Sequence, residues 1–170
     1  ANGDVCYLHL ITDAYSHMIV GWALAETLKA SVSIQALQMA IDQATAVHGS
    51  STLTGLIHHS DRGVQYCCDA YIAKLKEHDI TISMTEDYNP TDNAIAERIN
   101  GILKMEDIYS RKQLRSFEHA CDVIPRFISF YNYRRPHMSI VYKTPAVAHT
   151  EKGEQKKMWK KKCLKKNAET

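Results

Sequence analysis

The order in which strand-like and helix-like patterns follow one another constrains the fold of this chain most strongly. Residues 7–11 alternate in hydrophobicity, and residues 18–24 form a second β-rich run, so both predict strands. The polar segment 13–17 between them predicts a tight turn, and hence an antiparallel hairpin. Helical and strand patterns then alternate in the order β-β-α-β-α-β-α-α. This order predicts an α/β fold in which helices flank a mixed sheet.

The later elements are predicted from periodicity and from end signals. Apolar residues at helical spacing run from Ser31 until Gly49 ends the pattern, and residues 69–78 predict a second helix. Residues 56–59 and 80–84 read as short strands.

Two more helices follow, from Asn93 to about Glu106 and from Ser116 onwards. Thr91 or Asp92 could cap the first of them. Pro125 lies inside the second, where a proline costs roughly 3 kcal/mol in a straight helix. We therefore expect a kink there or a division into two shorter helices.

Composition indicates one ordinary globular domain. The chain has 170 residues, of which 45% are hydrophobic and 24% charged. Its longest apolar runs are too short to cross a bilayer, and the N-terminal residues lack the basic start of a signal peptide. The five cysteines are odd in number and form no CxxC pair, so neither a disulfide framework nor a zinc knuckle is expected. A reducing cytosol is therefore the simplest compartment for this chain.

The positive charge of the chain is concentrated at its C-terminal end. Residues 150–170 carry a net charge of +5, which leaves −3 for the other 149 residues. The sequence after Pro145 is low in complexity and predicts irregular chain. We therefore expect a folded domain over residues 1–148 and a disordered lysine-rich tail over residues 149–170. The tail could add nonspecific DNA affinity or only solubility.

Asp61 and Glu97 are the acidic residues whose context favours chemistry. Asp61 ends a short apolar strand, Glu97 lies on the polar stripe of an amphipathic helix, and 35 residues separate them. Carboxylates on two rigid elements are suitable ligands for a hard cation such as Mg²⁺. The alternative is that Asp61 only caps a turn and Glu97 is an ordinary solvated helix residue.

Four segments of the sequence resemble insertion-sequence transposases related to retroviral integrases. Residues 57–66 (IHHSDRGVQY) resemble the family's second-aspartate motif, and residues 83–106 resemble its glutamate helix. Residues 131–145 resemble its C-terminal signature, and residues 7–22 its second and third strands. The resemblance covers about residues 5–148, and the 35-residue interval is the spacing of the family.

The resemblance implies a ribonuclease-H-like fold in which Asp61 and Glu97 are the second and third members of an Asp-Asp-Glu metal triad. The family's first aspartate lies on the strand before the hairpin, and no position here matches it. Asn2-Gly3 is a strong hairpin-turn signal without a preceding strand in this sequence. We therefore expect the first strand to be lacking and this chain alone to be inactive. Asp4 and Asp13 are interpreted as turn residues.

Six further residues have two interpretations each. His59 could order the metal site or make a structural hydrogen bond, and Asn93 could orient Glu97, touch DNA, or only start a helix. Lys104 could meet a phosphate or be solvated. The other three, which follow the last long helix, could bind phosphates or stabilise the helix end; they are Arg134, Arg135 and His137.

By resemblance, the intact protein would be a polynucleotidyl transferase that cuts a transposon end and joins the 3′ hydroxyl to another strand. It would use two Mg²⁺ or Mn²⁺ ions, act on DNA and form a homo-oligomer. A stand-alone ribonuclease-H-like nuclease and a non-catalytic fragment that binds DNA remain the alternatives.

Overall fold

The first two strands form the antiparallel hairpin that the sequence predicts. In the computed structural model, which describes residues 5–85, 94–104 and 114–154, β1 (Tyr7–Thr12) pairs with β2 (Ile19–Ala25). The turn between them is organised by Asp13. Its carboxylate accepts hydrogen bonds from the backbone N–H of Tyr15 and of Ser16, each at 3.1 Å, and from the Ser16 hydroxyl.

Helix α1 (Ala30–His48) packs across the hairpin and ends at Gly49, which adopts a left-handed conformation with φ of 67°. The contact with β2 is very close at Gly21. A Cβ atom there would lie 2.2 Å from the carbonyl oxygen of Ala36, so only glycine fits. The buried face of α1 therefore fixes the position of the hairpin.

A second pair of strands is parallel. Strand β3 (Ile57–Ser60) pairs with β4 (Thr81–Met84), and the connection between them contains α2 (Val64–Cys67) and α3 (Asp69–Glu77). Helix α1 also packs against α2 and α3, so one helix contacts both the hairpin and the connection between β3 and β4. Their shared core consists of Leu37, Ile41, Leu53, Tyr71, Leu75 and Ile80.

Two long helices complete a further core. Helix α4 (Ala94–Leu103) buries Ile99 and Leu103 against α5 (Phe117–Tyr133) and Ile19 of β2. The Ser116 hydroxyl caps α5 by accepting a hydrogen bond from the His119 backbone N–H at 3.2 Å.

Of the two expectations for Pro125, the division of the last long helix in two is wrong, and the kink stays a prediction. Helix α5 continues through Pro125 as one element. Ile124, Phe127 and Ile128 are buried on both sides of the proline, and this burial offsets the cost of the missing backbone hydrogen bond.

The chain after Pro145 is more ordered than its composition predicts. A 3₁₀ turn (Met138–Ile140) leads to a short helix, α6 (Pro145–His149), in which Pro145 and Ala148 are buried. The expectation of irregular chain directly after Pro145 is therefore wrong. Residues 155–170 lie outside the described residues, so the division of the chain at residue 148 stays a prediction.

The predicted α/β architecture is confirmed, with each predicted strand and helix present within a few residues of its expected ends. The short helix α2 was not expected. The described strands form two separate two-stranded sheets, β1 with β2 and β3 with β4, and no described strand is hydrogen-bonded to both β1 and β3. The described helices include none that is long and apolar enough to cross a membrane.

Candidate metal site

Asp61 directly follows β3 and has an exposed side chain. The pairing of β3 with β4 continues to this point, since the Thr85 backbone N–H donates to the Ser60 carbonyl at 3.2 Å. The Oδ1 atom of Asp61 accepts a hydrogen bond from the Gly63 backbone N–H at 2.9 Å. The carboxylate is thus held at the end of a rigid strand and faces solvent.

Arg62 fastens the same loop to the neighbouring strand, and it was not identified by the sequence analysis. Its Nε donates to the backbone carbonyl of Thr85 at 2.9 Å, just beyond β4. The only signal for this role is its position beside Asp61. Arg62 therefore orients the Asp61 loop.

Glu97 lies in the first turn of α4, and its side chain is exposed. Ile99 and Leu103 of the same helix are only 2% and 5% exposed, so they fix which side of α4 faces the core. Asn100 lies three residues after Glu97 and lines the same cavity as Asp61. Asn100 thus brings α4 to the cavity wall, whereas Glu97 itself is not among the described lining residues.

The cavity has a volume of about 1100 Å³. Most of its lining is apolar, and its polar lining residues include Asp13, His59, Asp61, Asn100 and His149. Among the described residues, no group of three or more His, Cys, Asp or Glu side chains is arranged to hold a metal. The assignment of Asp61 and Glu97 as metal ligands therefore stays a prediction.

Asp13 occupies the cavity wall as a turn residue, as interpreted from the sequence. Its Oδ2 lies 3.0 Å from Nδ1 of His149, so the turn is tied to α6. Burial alone would raise the pKa of Asp13, but the hydrogen bonds from Ser16, His149 and the turn amides outweigh it and lower that pKa. Its carboxylate is already engaged by these four donors.

Two histidines of β3 face different surroundings. The Nδ1 atom of His59 lies 2.9 Å from the hydroxyl of Ser83 on β4, in an exposed position. His58 Nε2 lies 3.2 Å from the Tyr71 hydroxyl. Burial, helped by repulsion from His59, lowers the pKa of His58 to about 4, so His58 is neutral at pH 7. The structural hydrogen bond that was one interpretation of His59 is present.

The candidate DNA-binding residues differ in their exposure. Lys104, after α4, and Arg134, after α5, are both exposed. The Arg135 guanidinium lies 3.2 Å from Nδ1 of His137, whose ring is only 5% exposed and packs on Tyr131 with centroids 4.7 Å apart. This burial favours a structural role for His137 over direct contact with a phosphate.

The structure does not bring these residues to the cavity beside Asp61. Lys104, Arg134, Arg135 and His137 are not among its described lining residues. Asn93 lies outside the described residues, as do Thr91 and Asp92.

Known protein families match nearly the whole described chain. Two models described as integrase core domains match residues 1–90 and 78–145. A Mycobacterium tuberculosis protein named putative transposase for insertion sequence element IS986/IS6110 is 36% identical over 76% of this chain and 46% of its own length. The Shigella sonnei transposase for IS629 is 30% identical over 84% of this chain and 45% of its own length. The chain thus spans about half the length of these relatives.

Solved structures show the same fold. One is the HTLV-2 integrase catalytic core domain in complex with magnesium. Its superposition on this chain covers 84% of this chain and 83% of the HTLV-2 chain, with a TM-score of 0.59 and 18% sequence identity. A chain of the simian T-cell lymphotropic virus intasome reaches a TM-score of 0.66 at 19% identity, over 89% of this chain and 50% of its own. The fold is therefore that of retroviral integrase catalytic cores, and the chain belongs to the integrase core domain family.

Proposed function

We propose that this chain is the catalytic core of an insertion-sequence transposase, a polynucleotidyl transferase that cleaves DNA at a transposon end and joins it to a target. The observation that carries the proposal is the placement of Asp61. An exposed carboxylate ends a parallel strand, beside a cavity that the Glu97 helix also borders through Asn100. The relatives of this chain, a putative transposase for IS986/IS6110 and a transposase for IS629, support the proposal.

The donors fit a divalent cation of the magnesium class. Asp61 and Glu97 both offer exposed carboxylate oxygens, and Mg²⁺ binds through one or two carboxylates together with phosphate and water. Mg²⁺ or Mn²⁺ bound there would supply Lewis-acid chemistry for phosphodiester cleavage. Gly63 and Arg62 hold the Asp61 loop in place by their contacts with Asp61 and with Thr85.

DNA is the proposed substrate, and phosphate contact is assigned to exposed cations. Lys104 and Arg134 have the exposure that such contact requires. Arg135, held against His137, would position the segment after α5. A homo-oligomer is proposed because two transposon ends must meet during transposition. The same role implies a protein of the bacterial cytoplasm that associates with the nucleoid.

The direct test is cleavage and joining of a fluorescently labelled duplex in Mg²⁺ or Mn²⁺. The longer transposase that contains this core should cleave and join, whereas Asp61→Asn and Glu97→Gln should lower both products at least 100-fold. Asp69→Asn, an exposed acid at the start of α3, is the matched control. Unchanged activity in either site variant would show that its carboxylate is wrongly assigned.

The same assay separates the two alternatives. Metal-dependent hydrolysis without any joined product would favour a stand-alone nuclease. DNA binding without either product would favour a non-catalytic fragment that only binds DNA.

A further inference from the structure

The Arg62 side chain is only partly used by the contacts of the Asp61 loop. Its guanidinium is a planar fork with five N–H donors, of which the Nε–H donates to the Thr85 carbonyl at 2.9 Å. Within the described residues, the guanidinium makes no other hydrogen bond or ion pair. Arg62 is exposed, so the four N–H donors of its two terminal nitrogens are left for a partner from solvent.

The Thr85 carbonyl restricts where these four donors lie. Because the guanidinium is planar and rigid, the hydrogen bond at Nε orients the whole fork. Thr85 is itself anchored, since its backbone N–H donates to the Ser60 carbonyl at 3.2 Å. The positive charge of Arg62 is therefore held at the ends of β3 and β4 before a ligand arrives, and this lowers the ordering cost of binding.

Asp61 and Arg62 are adjacent opposite charges that do not pair with each other. Oδ1 of Asp61 accepts a hydrogen bond from the Gly63 backbone N–H, Arg62 donates to Thr85, and no ion pair joins these two described side chains. An arginine and a carboxylate within reach of each other often form a bidentate pair. Because the turn keeps the two groups apart, the carboxylate stays available to a cation and the guanidinium to an anion.

A phosphodiester backbone is a ligand that suits both groups. Mg²⁺ binds through carboxylates together with phosphate oxygens, and the guanidinium fork matches two oxygens of one phosphate. Arg62 adjoins Asp61 in the chain, whereas the exposed cations Lys104 and Arg134 follow α4 and α5. Arg62 is thus the cation whose place beside Asp61 is set by backbone contacts.

We propose, on the basis of the function proposed above, that the terminal nitrogens of Arg62 bind the DNA phosphate next to the one that is cleaved. The neighbouring phosphate is assigned because the fork is held apart from Asp61, whose cation would hold the cleaved one. Arg62 then has two roles in one side chain. Its Nε fastens the loop to β4, and its terminal nitrogens fix the DNA backbone against that loop.

The salt dependence of DNA binding tests this contact without any DNA chemistry. A fluorescein-labelled duplex is titrated with the 170-residue chain at several salt concentrations, and the logarithm of the affinity is plotted against that of the salt concentration. Each phosphate that a cation neutralises contributes about 0.9 to the slope. Arg62→Gln should therefore reduce the magnitude of the slope by about 0.9, and Arg62→Lys, which keeps the charge, should restore it.

The slope also separates the contact from a purely structural role. If Arg62 only fastened the loop, Arg62→Gln could change the affinity but would leave the slope at its wild-type value, and that result would overturn the proposal. Arg126→Gln is the matched control, because the Arg126 guanidinium is already paired with Asp122 on α5. Its slope should equal that of the wild type.

DNA with single methylphosphonates, which are neutral, locates the contacted phosphate. In the longer transposase that contains this core, Arg62→Gln should slow cleavage of ordinary DNA at least 10-fold. It should have no further effect when the phosphate next to the cleaved bond is already neutral. Independent effects of the variant and of every neutral phosphate would overturn the proposal. If the longer protein cleaves no DNA at all, the proposed function fails, and the salt slope alone decides whether Arg62 contacts a phosphate.

Discussion

The Oδ1 atom of Asp61 lies 2.9 Å from the backbone nitrogen of Gly63, so the turn after β3 fixes one oxygen of the candidate metal ligand. A Cβ atom on Gly63 would lie 2.9 Å from the same Oδ1 and 2.7 Å from the side-chain nitrogen of Gln65. The φ angle of Gly63, −58°, is accessible to any residue. A side chain at position 63 is therefore limited by space rather than by the backbone angle, and the ends of the Asp61 and Gln65 side chains would have to move to admit it.

Replacing Gly63 by Ala should displace the Asp61 carboxylate without unfolding the protein. We expect the affinity for Mn²⁺, measured by calorimetry, to fall roughly 10-fold, as for other residues that orient metal ligands. Gly101→Ala is the matched control, because a Cβ there meets nothing within 4 Å. Equal Mn²⁺ affinity in the two variants would show that the turn does not position the ligand.

The contact between Asp13 and His149 should couple the hairpin turn to α6. Both side chains are 27% exposed, so the pair is partly screened by solvent. In a double-mutant cycle of Asp13→Asn and His149→Ala, urea unfolding should give a coupling energy of about 0.5–1 kcal/mol. Strictly additive effects would mean that α6 is held by the burial of Pro145 and Ala148 alone.

His58 should make the fold sensitive to acid. Its pKa is about 4 in the folded protein, below the ordinary 6.5, so the unfolded chain binds its proton more tightly. This contribution to stability is complete above pH 6.5 and is lost as pH falls towards 4, with a slope of at most about 1.4 kcal/mol per pH unit. His9 and His17, whose pKa values burial also lowers, act in the same direction.

His58→Gln should therefore flatten, without abolishing, the loss of unfolding free energy between pH 6.5 and 4, as followed by urea melts. His48→Gln is the control, because His48 is exposed at the end of α1. An identical slope in the wild type and His58→Gln would contradict the burial of a neutral imidazole.

The lysine-rich end should govern nonspecific DNA affinity. Residues 155–170 contain seven lysines and one glutamate, and removing only these keeps Glu151 and its contact with Lys143. Because bound lysines release counterions from DNA, the truncated chain should bind duplex DNA more weakly and with a smaller salt slope. Fluorescence anisotropy titrations at salt concentrations from about 50 to about 200 mM measure the affinity and its dependence on salt. If the truncated chain keeps the same DNA affinity and salt slope, the lysine-rich end contributes to solubility and not to DNA binding.

The sequence predicts the elements of this fold well because each has a local cause. Residues 7–11 and 18–24 alternate or are β-rich, and Ser116 and Gly49 have the chemistry of helix ends. The errors come from tertiary contacts. Helix α5 continues through Pro125 because both sides of the proline are buried. Helix α6 forms in a low-complexity segment because Pro145 and Ala148 pack inside the fold.

The site was less accessible to sequence reasoning. The position of Asp61 after a strand and the exposure of Glu97 follow from local pattern. The contacts of Arg62 with Thr85 and of Asp13 with His149 join residues 23 and 136 positions apart, and no periodicity links them. The burial of His137 depends likewise on its packing against Tyr131.

Paramagnetic Mn²⁺ tests most directly whether Asp61 and Glu97 share a cation. In ¹⁵N-labelled protein, Mn²⁺ at substoichiometric levels should broaden the amide signals of residues 61–63 and of the first turn of α4 together. Asp61→Asn and Glu97→Gln should each remove the broadening at both places, whereas Asp69→Asn should leave it. Broadening at only one of the two places, or at both in either site variant, would contradict a shared metal site.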